Sequence, residues 1–252
     1  RQALSPVRSL TSAARTLGKG DLSQRVPSAG SDEIGVLGQT FNDMAQDLES
    51  AQKRQRVLMA DIAHELRTPL SNLQGYLEAI KDRVLKANAA TIDTLYQQTL
   101  HISRLVEDLR TVALVEAGAL RLEFEAGQLE DLVQTISDEF SVRAINHGVT
   151  LKFTSELEIS PVYADRTRIR QVVANLLENA LTHTPDGGSI MVSVSMAPDQ
   201  SRVVLIVSDT GRGIAQEKLP YIFDQFYRAD PSRSRETGGA GLGLTIAKRL
   251  VE

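Results

Sequence analysis

Apolar residues recur in this chain with two different periods. Leu66, Leu70, Leu73, Leu77, Ile80 and Val84 follow one another at alternating steps of four and three. After a break at Lys86-Ala87-Asn88-Ala89 the pattern resumes as Ile92, Leu95, Thr99, Ile102, Val106, Leu109 and Ala113, with Thr99 its one polar member. Such steps place one apolar stripe along each of two helices. A break this short predicts an antiparallel hairpin. One hairpin buries only one face of each helix, so a homodimer closing into a four-helix bundle is the economical completion. Upstream, residues ~3–55 predict two amphipathic helices. Their connector, from Gly18-Lys19-Gly20-Asp21-Leu22 to Val26-Pro27-Ser28-Ala29-Gly30, is too rich in Gly and Pro to be helical. Ser31-Asp32-Glu33 offers an N-cap and first-turn acids for the second helix. From Ile34 to Val84 the one strong breaker is Pro69, which is expected to bend the helix.

Beyond Glu116-Ala117-Gly118 the period changes. Arg121–Phe124 and Val149–Thr154 predict strands, with a helix over ~128–146 between them. Asp165 is placed to cap a helix over ~166–184, and Ser189–Met196 and Arg202–Ser208 predict further strands. Residues 210–240 show little periodicity and much Gly, Arg and Ser, the texture of a functional lid. A last helix starts near Leu242. The fold class expected is multi-domain, mainly α plus α/β: helical hairpins forming a four-helix bundle, then an α/β sandwich with a sheet on one side and helices on the other.

The composition narrows the field. The 252 residues are 42% hydrophobic and 24% charged, ordinary for a folded soluble protein. A net charge of −4 lacks the basic footprint of a general nucleic-acid binder, so no nucleic-acid partner is expected. The absence of cysteine removes disulfides, thiolate zinc sites and cysteine nucleophiles together. There is no signal peptide and no run of 18 apolar residues. Both ends fall inside patterned sequence, which reads as a piece of a longer protein.

His64, in Asp61-Ile62-Ala63-His64-Glu65-Leu66-Arg67-Thr68-Pro69-Leu70, falls opposite the apolar stripe. Glu65 adjoins it, and Thr68 lies one turn further on the same side. An isolated His-Glu pair is usually ordinary surface. A metalloprotease reading fails, because position 68 would have to be His. An imidazole beside a carboxylate is nevertheless a workable nucleophile and base.

A second constellation lies downstream. Asn175 and Asn179 share one helix face, and amide carbonyls are hard oxygen donors suited to Mg²⁺. Asp209-Thr210-Gly211-Arg212-Gly213-Ile214 follows a strand directly, so Asp209 would project at a strand end, where a carboxylate can accept an N–H donor such as an adenine amino group. Gly238-Gly239-Ala240-Gly241-Leu242-Gly243 leads into a helix, whose free N–H groups favour anions. No strand precedes this run and no Gly-Lys-Ser/Thr follows it, so neither a Rossmann nor a Walker site is indicated.

Together these motifs resemble the cytoplasmic part of a two-component sensor histidine kinase. His64 to Leu70 is similar to the phospho-acceptor box, Asn175 to Pro185 to the N box, and Asp209 to Gly213 to the first glycine box. Ile222 to Arg228 is similar to the F box, and Gly239 to Leu244 to the second glycine box. Residues 1–55 resemble a HAMP linker and signalling helix, residues 56–117 the dimerisation and phosphotransfer hairpin, and residues 118–252 an ATP-binding domain shortened at its C-terminus.

The resemblance implies roles. His64 would be the phosphorylated nucleophile and Glu65 its base, with Thr68 placing water in the reverse, phosphatase reaction. Asn175 and Asn179 would hold Mg²⁺ and the phosphates of ATP, and Asp209 would read adenine. Gly211, Gly213, Gly239, Gly241, Leu242 and Gly243 would shape the pocket, Phe223 and Phe226 would anchor its lid, and Arg228 and Arg235 would meet phosphate. Residues 116–120 would be the hinge on which the ATP domain swings. The partners implied are a second copy, the receiver domain of a response regulator, and the inner membrane through an absent N-terminal segment, with this part of the chain in the cytoplasm. Where many relatives carry Lys then Tyr, this chain has Thr182 and His183. A degenerate or phosphatase-biased nucleotide binder, or a coiled-coil scaffold, are the competing readings.

Overall fold

A computed structural model describes residues 4–27, 33–156, 161–228 and 240–252. The chain divides into two compact units, Arg1–Glu65 and Leu66–Glu252.

In the first unit, α1 (Leu4–Leu17) and the start of α2 (Glu33–Lys81) bury Ala13, Val26, Phe41 and Ala45. The connector is held in place by polar groups rather than by regular structure. Asn42 Oδ1 accepts from Val26 N and Asn42 Nδ2 donates to Val26 O, both at 2.9 Å, so one amide satisfies both backbone groups of the buried connector residue. Ser31 and Asp32, expected as the cap of α2, lie outside the described residues; Glu33 occupies its first turn.

α2 runs for 49 residues with Pro69 inside it. Proline removes one backbone donor but does not end this helix, because the turns on either side keep their own bonds. Val84, expected as the last member of the first stripe, lies beyond the end of α2. There Val84 N and Leu85 N both donate to Ala79 O, Arg83 takes φ 59°, and the Val84 side chain is 82% exposed. α3 (Ala89–Glu116) starts at Asn88, whose Oδ1 accepts from Thr91 N at 2.9 Å, completing the helical hairpin.

The rest of the second unit is a small α/β layer. A three-stranded sheet has the order β2 (Thr150–Ser155), β4 (Ser189–Met196), β5 (Val203–Asp209), with β2 parallel and β5 antiparallel to β4. A separate antiparallel pair joins β1 (Glu125–Gly127) to β3 (Val162–Ala164). α4 (Leu129–Asn146) and α5 (Arg166–His183) cover one face of the sheet, and Val133, Ile136, Val173, Leu177 and Val192 are fully buried between them. β4 alternates because its odd side chains face away from this layer and its even ones into it. The predicted strand at Arg121–Phe124 is corrected: the residues in strand are Glu125–Gly127. Pairing starts only where β3 supplies a partner, at Glu125↔Ala164. Strand propensity without a neighbouring ladder leaves Phe124 outside it, stacked on Tyr163 at 5.7 Å. The predicted lid stretch contains a 3₁₀ turn at Leu219–Tyr221, and α6 (Gly243–Val251) closes the described chain.

Candidate functional site

His64 and Glu65 lie on α2, His64 exposed and Glu65 half-buried; exposed Thr68 follows one turn later on the same helix. The helix projects the imidazole to solvent, as its position opposite the stripe predicts.

The second constellation is assembled around the C-terminal half of α5. Asp165 caps this helix, Oδ1 accepting from Arg168 N and Oδ2 from Glu123 N, each at 3.0 Å. Their i, i+4 spacing brings Asn175 and Asn179 to one half-buried face of the helix. Asn175 Nδ2 donates to Gly243 O at 3.1 Å, which sets the amide against the first turn of α6. That turn carries backbone N–H groups without intrahelical partners. Carbonyl-bearing amides and a helix N-terminus therefore sit side by side, a combination that fits a phosphate chain with its cation. Among the described residues no cluster of three His, Cys, Asp or Glu could hold a metal ion. A cation here would take few ligands from the protein and the rest from phosphate and water, the mode Mg²⁺ prefers.

Asp209 ends β5, and its Oδ1 accepts from Gly211 N at 2.8 Å, folding the loop back onto the carboxylate. A carboxylate has lone pairs enough to accept a further N–H donor. Glycine at 211 is required by space: a Cβ there would meet His183 O at 2.5 Å and Asp209 Oδ1 at 2.6 Å. Gly241 is required by conformation and space together, with φ +70° and a would-be Cβ 2.9 Å from Phe226 C and Tyr227 O. Gly213 also has positive φ. Gly239, like Gly238 and Arg235, lies outside the described residues.

Phe223 and Phe226 both meet residues of α6. Thr245 Oγ1 donates to Phe223 O at 2.9 Å and Lys248 lies over the Phe223 ring at 5.3 Å. Phe226 packs into the cluster formed by Leu242 and Ile246. Arg228 is half-buried.

Several participants were not singled out from sequence. Thr210 Oγ1 accepts from Ser189 N at 2.9 Å and pins the Asp209 loop to β4. Its position between Asp209 and Gly211 was the available signal. Thr245 sits on the buried face of an apolar helix, with no signal at all. Arg212 Nη2 lies 3.4 Å from His183 Nδ1. Burial, and then the Arg212 cation, hold the His183 imidazole below its ordinary pKa, with Asp209 opposing them. Thr182 donates its hydroxyl to Glu178 O at 2.8 Å, back onto its own helix. Glu178 forms a bidentate pair with Arg143 at 2.7 and 2.8 Å.

Comparison with known proteins places three family models in order along the chain. Residues 1–50 match the HAMP domain, residues 54–118 the His Kinase A (phospho-acceptor) domain, and residues 164–252 the histidine kinase-, DNA gyrase B- and HSP90-like ATPase. The signal transduction histidine-protein kinase BaeS of Escherichia coli K12 is 38% identical over 252 residues, covering 100% of this chain and 53% of that protein. The chain thus spans about half the length of the curated relatives it matches. Among solved structures, the Acinetobacter baumannii histidine kinase AdeS superposes with a TM-score of 0.62 at 32% identity, covering 75% of this chain and 85% of that one. The histidine kinase ThkA, solved in complex with the response regulator protein TrrA, gives a TM-score of 0.56 at 25% identity over 73% of this chain and 55% of its own.

Proposed function

The chain belongs to the sensor histidine kinases of two-component systems, and on that footing we propose that it transfers the γ-phosphoryl group of ATP to His64 and then to an aspartate of a response regulator. The observation that carries this is the joint presence of an exposed His64 with half-buried Glu65 next to it on α2, and of the Asn175–Gly243 contact and Asp209 in a domain of the ATPase family.

In the proposed reaction an imidazole nitrogen of His64 bonds to the γ-phosphorus, the bond to the β-phosphate oxygen breaks, and ADP leaves. Glu65 takes the imidazole proton. Asp209 accepts from the adenine amino group, with Thr210 and Gly211 holding its loop. Asn175 and Asn179 hold the cation and the phosphates, the first oriented by Gly243. When bound, Mg²⁺ offsets the negative charge of the phosphate oxygens. Gly213, Gly239 and Gly241 let the lid backbone pass close, Phe223 and Phe226 anchor it, and Arg228 supplies positive charge in place of the lysine that Thr182 replaces. Thr68 places water for the reverse, phosphatase reaction. Residues 116–120, where Gly118 takes φ +61°, form the hinge.

Residues 1–55 act as the HAMP linker, 56–117 as the phosphotransfer hairpin and 118–252 as the catalytic domain. The hairpin pairs with a second copy, which the exposure of Leu70, Leu77, Ile92 and Val106 supports. No helix among the described residues is long and apolar enough to cross a membrane; the HAMP-matching segment would receive its signal from an inner-membrane segment outside this chain, leaving these residues in the cytoplasm. The response-regulator partner rests on the family and on the ThkA complex. The test is incubation with labelled ATP and Mg²⁺. An acid-labile, alkali-stable phosphoprotein is expected, and label that persists in His64→Gln would overturn the acceptor.

A further inference from the structure

A third buried cluster stands apart from the sheet core and from the cluster of α1 with the start of α2. Leu105 and Val112 of α3 are buried against Leu242 and Ile246 of α6, with Leu66 of α2 and Phe226 of the lid anchor packed around them. Gln225 Nε2 donates to Glu116 Oε1 at 2.6 Å at the C-terminal end of α3. Two features make this contact easy to release. Phe226 holds φ 59°, a left-handed conformation that a bulky residue keeps only when its surroundings enforce it. And a carboxylate flanks the covered face of α3: Asp108, three residues after Leu105 and four before Val112, lies about 60° and about 40° round the helix from them and is half-buried there.

The charges acting on Asp108 are on its own helix, Arg104 attracting and Glu107 repelling. Leu242 and Ile246 of α6, Leu66 of α2 and Phe226 carry no charge. The bases of α6 are on exposed positions, where Lys248 pairs with Glu252 and covers Phe223. Glu116, at the end of the contact, is held by Gln225. Burial therefore dominates and, against Arg104 and with Glu107, pushes the Asp108 carboxyl up to about 6.

We propose that the contact of α3 with α6 and the lid anchor is a proton-sensitive clasp, loosened by the charged Asp108 carboxylate and tightened when that group is protonated. The clasp stands on the geometry of α3 and α6. Its consequence, slower phosphoryl transfer in acid because the nucleotide-binding part is held on the hairpin, rests on the kinase reading. The sign follows from linkage. A carboxyl whose pKa is higher in the docked state binds its proton more tightly there, so docking is penalised above the raised pKa and the penalty is relieved as pH falls through it. Between pH 7.5 and pH 5 the docking equilibrium should strengthen by about tenfold.

The chain contains no cysteine, so paired labels can be placed cleanly. Ser103→Cys on α3 and Arg249→Cys on α6, both exposed positions, give a distance readout in the full chain. The short-distance population is expected to grow about tenfold relative to the long one from pH 7.5 to pH 5. In Asp108→Asn, which keeps the shape and removes the charge, it should be high and independent of pH. Asp108→Glu should restore the pH response. An unchanged pH response in Asp108→Asn, or no response in the parent protein, overturns the clasp. Autophosphorylation rates on the same samples should fall with acid in the parent and not in Asp108→Asn. If no sample transfers phosphate while the distance still follows Asp108, the kinase reading fails and the clasp stands.

Discussion

The helical hairpin and the sheet domain use the same apolar residue types to opposite ends. In the sheet domain Val133, Ile136, Val173, Leu177 and Val192 are at 0% exposure, and α4 and α5 close that core without outside help. On the hairpin Leu70, Leu77, Ile92 and Val106 remain between 43% and 53% exposed. Fully burying a side chain of this size contributes roughly 1.5–3 kcal/mol, so the hairpin gains stability only when something covers its stripe. The difference suits a division of labour. A binding pocket works best on a rigid, self-sufficient scaffold, and it is the sheet domain that carries Asn175 and Asp209. A helix whose packing depends on a partner has alternative arrangements available, and it is α2 that carries His64.

The largest expected effect separates chemistry from binding. His64→Gln should abolish autophosphorylation, a loss beyond about a thousandfold, and leave ATP affinity unchanged. Asp209→Asn should weaken ATP binding by roughly 10–100-fold, the range expected for one hydrogen bond to a charged group. Equal affinity in the two proteins, by calorimetry, would erase the division between the regions. Next, Ile136→Ala should lower stability by about 2–5 kcal/mol at any protein concentration. Leu77→Ala should lower the Tm by an amount that grows with concentration and then levels off, because it acts on association. The same concentration dependence in both would break the comparison. Gly211→Ala should reduce ATP affinity by about tenfold or more with the melting temperature nearly unchanged, since the clash with His183 O and Asp209 Oδ1 is confined to the loop. The smallest effect sharpens the picture of α5. Asp165→Ala should cost about 1 kcal/mol. Burial raises the Asp165 pKa, but bonds from Glu123, Arg168 and Thr167 N–H groups and the Arg168 charge outweigh it, so the net shift is downward. Its contribution is present above the ordinary aspartate pKa and is lost as pH falls through the lowered one. Acid denaturation of the variant below about pH 4 should therefore be shallower.

Much of this was legible because the signals are local. The cap at Asp165 followed from its place before a helical pattern, and β4 was read at its observed bounds, Ser189–Met196, from alternation alone. The heptad stripes anticipated the hairpin of α2 and α3. The failures occurred where a residue's state depends on a distant partner. β3 is three residues long and exists because β1 lies beside it. Val84 kept the heptad spacing, yet the bonds to Ala79 O had already turned the chain. Thr182 reads in sequence as a lost cation, and only the bond to Glu178 O shows where its hydroxyl is engaged instead.

The sequence by itself determined periods, caps and the order of the chemistry-bearing motifs, because each depends on residues a few positions apart. Tertiary structure decided which of them meet. Asn175 and Gly243 are 68 residues apart and share a hydrogen bond. Gln225 and Glu116 are 109 apart and share another. Asp108 is, in sequence, one more polar residue on a helix. Only the folded chain leaves it half-buried, and a carboxylate's ionisation is set by the water it can keep.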